Sequence, residues 1–96
     1  VAVTPDIVVD VGNSRMKWGR CVGGVVTEMV SLPHDAAIEW KRQAEEWGTS
    51  ERTRWAVAGV VPQQIQRLQD WLAARGVSPA VVTNELFADG GPTGFI

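Results

Sequence analysis

The pattern of apolar and polar positions along the 96-residue chain predicts five strands and two helices. Its first apolar run is nearly continuous, which is typical of a central strand that is covered on both faces. The next two apolar segments are separated by Gly23-Gly24, a dipeptide that favours a tight hairpin turn. The chain is therefore expected to open as an antiparallel meander. The predicted strands are residues 6–11, 15–22, 25–32, 55–61 and 80–83.

Two segments carry apolar residues at helical spacing. The first helix is predicted over about residues 36–47, with Asp35 as its N-cap and with His34 exposed in the loop before it. The second begins at Pro62, which suits a first helical turn, and ends at Gly76, in the position of a C′ glycine. The buried positions predicted for the two helices are Ala37, Trp40, Ala44 and Trp47, and then Ile65, Leu68 and Leu72.

The resulting order, β-β-β-α-β-α-β, predicts an α/β fold with a mixed central sheet, since the two crossovers place the later strands parallel to the first. This is the ribonuclease-H-like order, which is used by nucleases of that class and by each lobe of the actin-like ATPase and sugar kinase superfamily. A chain of 96 residues makes one domain or one lobe of a larger one.

Composition excludes some classes of function. A net charge of -2 argues against a nucleic-acid surface, which is normally basic. The single cysteine, Cys21, rules out an intramolecular disulfide, fits a reducing cytoplasm and is expected to be a small core residue. No signal peptide is visible in the 96 residues and no apolar run reaches about 20 residues, so no membrane association is expected. Some of the five tryptophans are expected to cover a face for another lobe or subunit.

The chemistry is concentrated at the end of the first strand. There the sequence Asp-Val-Gly-Asn-Ser-Arg-Met-Lys-Trp-Gly occupies residues 10–19. A carboxylate such as Asp10 holds Mg²⁺, usually through water; small turn residues expose backbone N–H groups to anions, and an ammonium such as that of Lys17 offsets phosphate charge. An Asp-x-Gly-Asn stretch by itself is also typical of a plain hairpin. The additional Asn13, Ser14 and Lys17 at fixed offsets, with Gly19 beyond them, favour a phosphate site. Arg15 could also reach phosphate, but it is expected to be a solvated strand-edge residue.

The stretch from residue 10 to 19 closely resembles the first phosphate motif of type III pantothenate kinases, also called Bvg accessory factor proteins, of the actin-like ATPase superfamily. Residues 58–62, Ala-Gly-Val-Val-Pro, resemble the family's Ser-Ser-Val-Val-Pro strand end with both serines replaced, and residues 91–94, Gly-Pro-Thr-Gly, resemble a later glycine-rich segment. Family members are much longer, so this chain is expected to be the N-terminal lobe alone. The family's Pro-x-x-x-Gly-x-Asp-Arg segment, with its general-base aspartate, is not matched; Asp89 lies in a different context.

The resemblance implies a full-length enzyme that transfers the γ-phosphoryl group of ATP to pantothenate, the first step toward coenzyme A. Asp10 would hold Mg²⁺, Lys17 would lie beside the β- and γ-phosphates, and Gly59 would either lie near the ligand or only permit close packing. The family also implies a homodimer and a monovalent cation, K⁺ or NH4⁺. The residues implied to contact phosphate through backbone or side chain are Gly12, Asn13 and Ser14.

Two alternatives remain. A ribonuclease-H-like nuclease or resolvase also opens with Asp-x-Gly on a strand, but it needs several carboxylates around metal ions, for which the strands offer Asp10 and Glu28. The other is a non-catalytic nucleotide-binding or regulatory module. Because the general-base segment is not matched, this 96-residue chain alone is expected to lack kinase activity.

Overall fold

The computed structural model describes residues 4–81, which form an α/β fold with a mixed five-stranded sheet. The strands and helices occur in the predicted order. Their bounds are β1 Ile7–Val11, β2 Arg15–Val22, β3 Val25–Pro33, α1 Ala37–Glu46, β4 Trp55–Gly59, α2 Pro62–Ala74 and β5 Ala80–Val81. The remainder of the predicted fifth strand, the glycine-rich segment at 91–94 and Asp89 lie outside the described residues.

The first strand of the sequence is the central strand of the sheet. The spatial order is β3-β2-β1-β4-β5, with β1 antiparallel to β2 and parallel to β4. Strand β3 is antiparallel to β2, and β5 is parallel to β4. The carboxyl ends of β1, β3 and β4 therefore meet at one edge of the sheet, which we call the carboxyl edge.

Both helices pack on one face of the sheet, which we call the helix face. Ile7, Val9 and Val11 of β1 point to that face and share one core cluster with buried residues of α1 and α2. The other residues of β1, Val8 and Asp10, point to the opposite face, which we call the Asp10 face. There Val8 forms a smaller buried cluster with Cys21 and Ala56, as expected for a small core cysteine. Strand alternation thus separates the main core from the face that carries the motif's carboxylate.

Aromatic side chains fill much of the helix-face core. The Trp18 ring lies edge-on to the Trp55 ring, with 5.0 Å between centroids, and Trp40 meets Trp71 in the same manner at 5.7 Å. Trp47 is also buried, and only Trp71 among the five is half-exposed. Such edge-to-face pairs are favourable beyond the area that they bury. The chain's own core therefore accounts for four of the five tryptophans, and Trp71 packs against that core while remaining partly exposed.

The segment that enters α1 differs from the prediction. Asp35 does not cap the helix, because its carboxylate pairs with Arg67 of α2; the N-cap is Ala36, which makes no side-chain cap hydrogen bond. His34 is buried rather than exposed. The Trp40 indole N–H donates to the Pro33 carbonyl at 2.8 Å, which holds this turn against the core. The predicted buried position Ala37 is exposed, so the apolar stripe of α1 begins at Trp40.

The second helix follows the prediction closely. Pro62 occupies its first turn, Leu68 and Leu72 are buried, and Ile65 packs against the core cluster. Gly76 has φ +80°, as expected just beyond a helix end. Among the described residues, no helix is long and apolar enough to cross a membrane.

Candidate functional site

Asp10 and Lys17 face each other across two central strands. In the register of β1 and β2, Asp10 is directly opposite Lys17, and on its other side Asp10 is opposite Ala58 of β4. Directly opposed residues on one face of an antiparallel pair have Cβ atoms about 4.5–5.5 Å apart. Asp10 is half-buried and Lys17 is exposed. The two charges that the sequence predicted to act together are therefore neighbours on the Asp10 face.

The turn that joins these strands is held by one backbone hydrogen bond. The Gly12 N–H donates to the Arg15 carbonyl at 2.9 Å, and a Cβ on Gly12 would lie 3.0 Å from that same oxygen. Gly12 therefore permits a close backbone approach, and its N–H is already used. Asn13 and Ser14 are exposed, and no hydrogen bond described within residues 4–81 engages their N–H groups or side chains. As far as residues 4–81 are concerned, their donors are open to an anion.

The backbone of this turn differs from that of a plain Asn-Gly hairpin. Such hairpins use type I′ turns with positive φ at both central residues. Among the described residues, no residue other than glycine has positive φ, so Asn13 and Ser14 both lie outside that conformation.

Gly59 lies beside Val11 at the carboxyl edge. The two residues are partners in the parallel register of β1 and β4. Gly59 has φ +158°, and a Cβ placed on it would overlap the Val11 carbonyl oxygen and lie 2.7 Å from the Val11 Cβ. No larger side chain fits there without separating the strands. This geometry gives Gly59 a packing role. Strand β4 also ends at Gly59, two residues earlier than predicted, because the chain turns there toward α2.

Helix α2 begins at the same carboxyl edge. Val61 is its N-cap, with no side-chain cap hydrogen bond. The first N–H groups of a helix carry partial positive charge, which favours nearby anions. The carboxyl edge therefore combines the free donors of the turn, the Lys17 ammonium and a helix N-terminus.

The metal chemistry open to this edge is limited. Asp10 takes part in none of the ion pairs or side-chain hydrogen bonds described for residues 4–81, so its oxygens are open to a cation or its bound water. In that part of the chain, no three His, Cys, Asp or Glu residues cluster as a metal site. One carboxylate suits a hydrated Mg²⁺ that is also held by substrate phosphates, the usual arrangement for this ion. The residues present fit Mg²⁺ bound together with a nucleotide.

The second acid considered for a nuclease site lies elsewhere. Glu28 is opposite Arg20, whose other strand neighbour is Ile7 on the helix face. The Glu28 carboxylate forms an ion pair with Arg20 at 3.3 Å and accepts a hydrogen bond from the Trp47 indole N–H at 3.2 Å. Asp10 and Glu28 are thus on opposite faces of the sheet and do not share a metal ion.

Sequence reasoning did not identify a pair of residues next to this site. Arg15 is exposed, as expected, yet its Nε donates to the Ser31 Oγ at 2.8 Å and its Nη2 to the Ser31 carbonyl at 3.0 Å. Ser31 is opposite Lys17 in the register of β2 and β3. The site therefore extends from Asp10 across Lys17 to Ser31 and the guanidinium that it holds.

The largest cleft described lies at the opposite edge of the sheet. Its volume is about 370 Å³, and Pro5, Arg54, Trp55, Val77 and Ala80 are among its lining residues. Asp10 and the turn residues do not line it, so the candidate site is an open surface at the carboxyl edge.

Burial changes the acidity of one side chain on the Asp10 face. Desolvation raises the pKa of the Cys21 thiol above its ordinary value of 9.0, and the Asp6 carboxylate raises it further. Cys21 is therefore a protonated core residue at neutral pH.

Comparison of the sequence with models of known protein families and with curated proteins finds no match to either.

Proposed function

We propose that this chain is the ATP-binding N-terminal lobe of a type III pantothenate kinase, with the ribonuclease-H-like fold of an actin-like ATPase lobe. The observation that carries the proposal is that Asp10 and Lys17 lie directly opposite each other on one face, beside a turn whose Asn13 and Ser14 donors have no hydrogen-bond partner among residues 4–81. Carboxylate, ammonium and exposed N–H groups at one strand end are the components that phosphate binding requires.

The topology supports the same proposal. Three antiparallel strands are followed by two crossovers, and β4 and β5 lie parallel to the central strand. In open α/β sheets, ligands bind beyond the carboxyl ends of the strands, which is where Asp10 and the turn lie. An open surface of this kind also suits a nucleotide held between two lobes.

Phosphoryl transfer depends on positioning and on stabilising the charge that develops on the transferred group. Asp10 would hold hydrated Mg²⁺, which when bound neutralises phosphate charge. The Asn13 and Ser14 N–H groups and side chains would orient phosphate oxygens, and the Lys17 ammonium would stabilise negative charge at the β- and γ-phosphates. Gly12 would keep the backbone close enough for these contacts. The acceptor hydroxyl in this proposal is that of pantothenate.

The proposal is tested by titrating the purified chain with Mg-ATP and following the backbone amide shifts by NMR. We expect weak binding, with shifts at residues 10–17. Asp10→Asn and Lys17→Ala should each weaken it about tenfold, the usual effect of removing a charge-assisted contact. Matched controls are Asp70→Asn and Lys41→Ala, which change the same charges at exposed helix positions.

The outcomes separate the alternatives. Losses confined to the Asp10 and Lys17 variants, with unchanged circular dichroism, would support a phosphate site. Binding that is absent, or equally weakened by the control variants, would contradict it. If the full-length natural protein bound Mg-ATP but did not phosphorylate pantothenate, a non-catalytic nucleotide-binding module would replace the kinase.

A further inference from the structure

Arg15 is an exposed side chain that is nevertheless fixed at two points. Its Nε and Nη2 atoms both donate to Ser31, one to the hydroxyl and one to the carbonyl oxygen. A free arginine side chain would sample many rotamers, and ordering it costs up to about 2 kcal/mol. Two hydrogen bonds to one residue hold the guanidinium plane over β3. In the part of the chain that the structure describes, the Nη1 donors and one Nη2 hydrogen have no partner and remain available to a ligand.

A β-bulge places Ser31 on the required face. From Arg15 to Arg20, the residue numbers of each opposed pair on β2 and β3 add up to 48. Beyond the bulge, where Cys21 is opposite Val26, they add up to 47, because β3 contains one extra residue at that point. Continued without the bulge, that second register would put Ser31 opposite Met16, on the helix face. The extra residue moves Ser31 opposite Lys17 and brings it within reach of Arg15. Bulges commonly re-aim side chains in this way.

Arg15 and Lys17 therefore form a pair of like charges on the Asp10 face. They are two residues apart on β2, or about 6.6 Å along the strand. In the described part of the chain, the ion pairs involve other arginines, and neither Arg15 nor Lys17 has a carboxylate within 4.0 Å. Because Ser31 lies on β3, it holds the guanidinium on the far side of Lys17 from Asp10. An anion held at Asp10 must extend past Lys17 to reach the guanidinium, because neighbouring strands lie about 4.8 Å apart.

We infer that Arg15, positioned by Ser31, is a second phosphate-binding cation, and that the site selects ligands with linked phosphates over monophosphates. This inference rests on the proposed phosphate site and defines its ligand class. A single phosphate group satisfies the turn donors and Lys17, and only a longer phosphate chain reaches the guanidinium. Ser31 acts through Arg15 and is a positioning residue.

The test compares Mg-ATP, Mg-ADP, AMP and inorganic tripolyphosphate by NMR titration of the full 96-residue chain. Arg15→Gln should weaken ATP and tripolyphosphate binding about five- to tenfold and AMP binding less than twofold, since a lost charge-assisted contact at an exposed site is partly screened. Ser31→Ala should weaken ATP binding about threefold, and Ser31→Thr, which keeps the hydroxyl, should restore it. Arg42→Gln on α1 is the control for lost charge.

Each outcome decides a separate question. Equal losses for ATP and AMP, equal losses in the Arg15 and Arg42 variants, or no effect of Ser31→Ala would overturn the inference. If Asp10→Asn still weakened ATP binding about tenfold in that case, the proposed function would stand without this inference. Conversely, tripolyphosphate binding that depends on Arg15 in a chain without ATP affinity would support the linked-phosphate site and refute the nucleotide role. A chain that binds neither ligand refutes both.

Discussion

Replacing Gly59 by alanine tests the packing of β1 against β4 at the carboxyl edge. The new Cβ would lie 2.7 Å from the Val11 Cβ and 2.9 Å from the Val11 nitrogen, so the strands must separate or the backbone must shift. Overpacking of this kind costs about 1–3 kcal/mol, and a sparsely populated backbone conformation that favours glycine adds about 1–3 kcal/mol. We expect a loss near 3 kcal/mol from a total stability of roughly 5–15 kcal/mol.

Gly24→Ala is the matched control for this measurement. Gly24 also has positive φ, at +81°, but a Cβ there meets no atom within 4 Å, so this variant carries the backbone strain without the collision. With a urea m-value of about 1.5 kcal/mol/M, Gly59→Ala should lower the unfolding midpoint by about 2 M and the control by about 1 M. Tryptophan fluorescence reports the transition, since Trp55 of β4 contacts Trp18.

Two results would refute this account of Gly59. Equal midpoints for the two variants would mean that the collision with Val11 is relieved at no cost. A folded Gly59→Ala variant that had lost Mg-ATP binding would instead indicate that this glycine contacts the ligand. We expect the folded fraction of the variant to bind Mg-ATP with unchanged affinity. The reason is that glycine at position 59 makes room for Val11 and not for the ligand.

Two further predictions concern the core. Trp40→Phe removes the 2.8 Å hydrogen bond to the Pro33 carbonyl and leaves a small cavity, so it should cost about 2 kcal/mol in a urea titration; an equal cost for Trp71→Phe, which removes no described hydrogen bond, would contradict this. Because burial raises the pKa of Cys21, folding favours its neutral thiol. The resulting contribution to the free energy of unfolding is complete below the ordinary pKa of 9.0 and is lost as the pH rises above that value. The wild type should therefore lose stability relative to Cys21→Ala between about pH 8 and pH 10, and a constant difference would refute the assignment.

Local sequence signals predicted most of the fold. The bounds of β2 were predicted correctly, because the Gly12–Ser14 segment precedes it and Gly23-Gly24 follows it. Pro62 and Gly76 likewise marked the ends of α2. The sequence predictions were wrong where tertiary contacts determine the local structure. Asp35 is a good N-cap by type, but its carboxylate pairs with an arginine that is distant in sequence.

The candidate site was predictable only in part. Alternation along β1 and β2, together with the short turn, is enough to place Asp10 near Lys17. The partnership of Arg15 with Ser31 depends on the bulge beside Arg20, for which the local sequence carries no recognised signal. A one-residue change of register moves every later side chain of a strand to the other face. Contacts across such a bulge become visible only when the strands are paired.

The central position of β1 divides the candidate site into a rigid part and an adjustable part. Asp10 lies on a strand that is hydrogen-bonded to a neighbour on each side, so its backbone is freed only when the sheet itself opens. Asn13 and Ser14 lie in a turn held by one backbone hydrogen bond. Ordering on ligand binding would therefore fall on the turn, and the entropy lost there would set how weakly an anion is held. The carboxylate would meet its cation already in place.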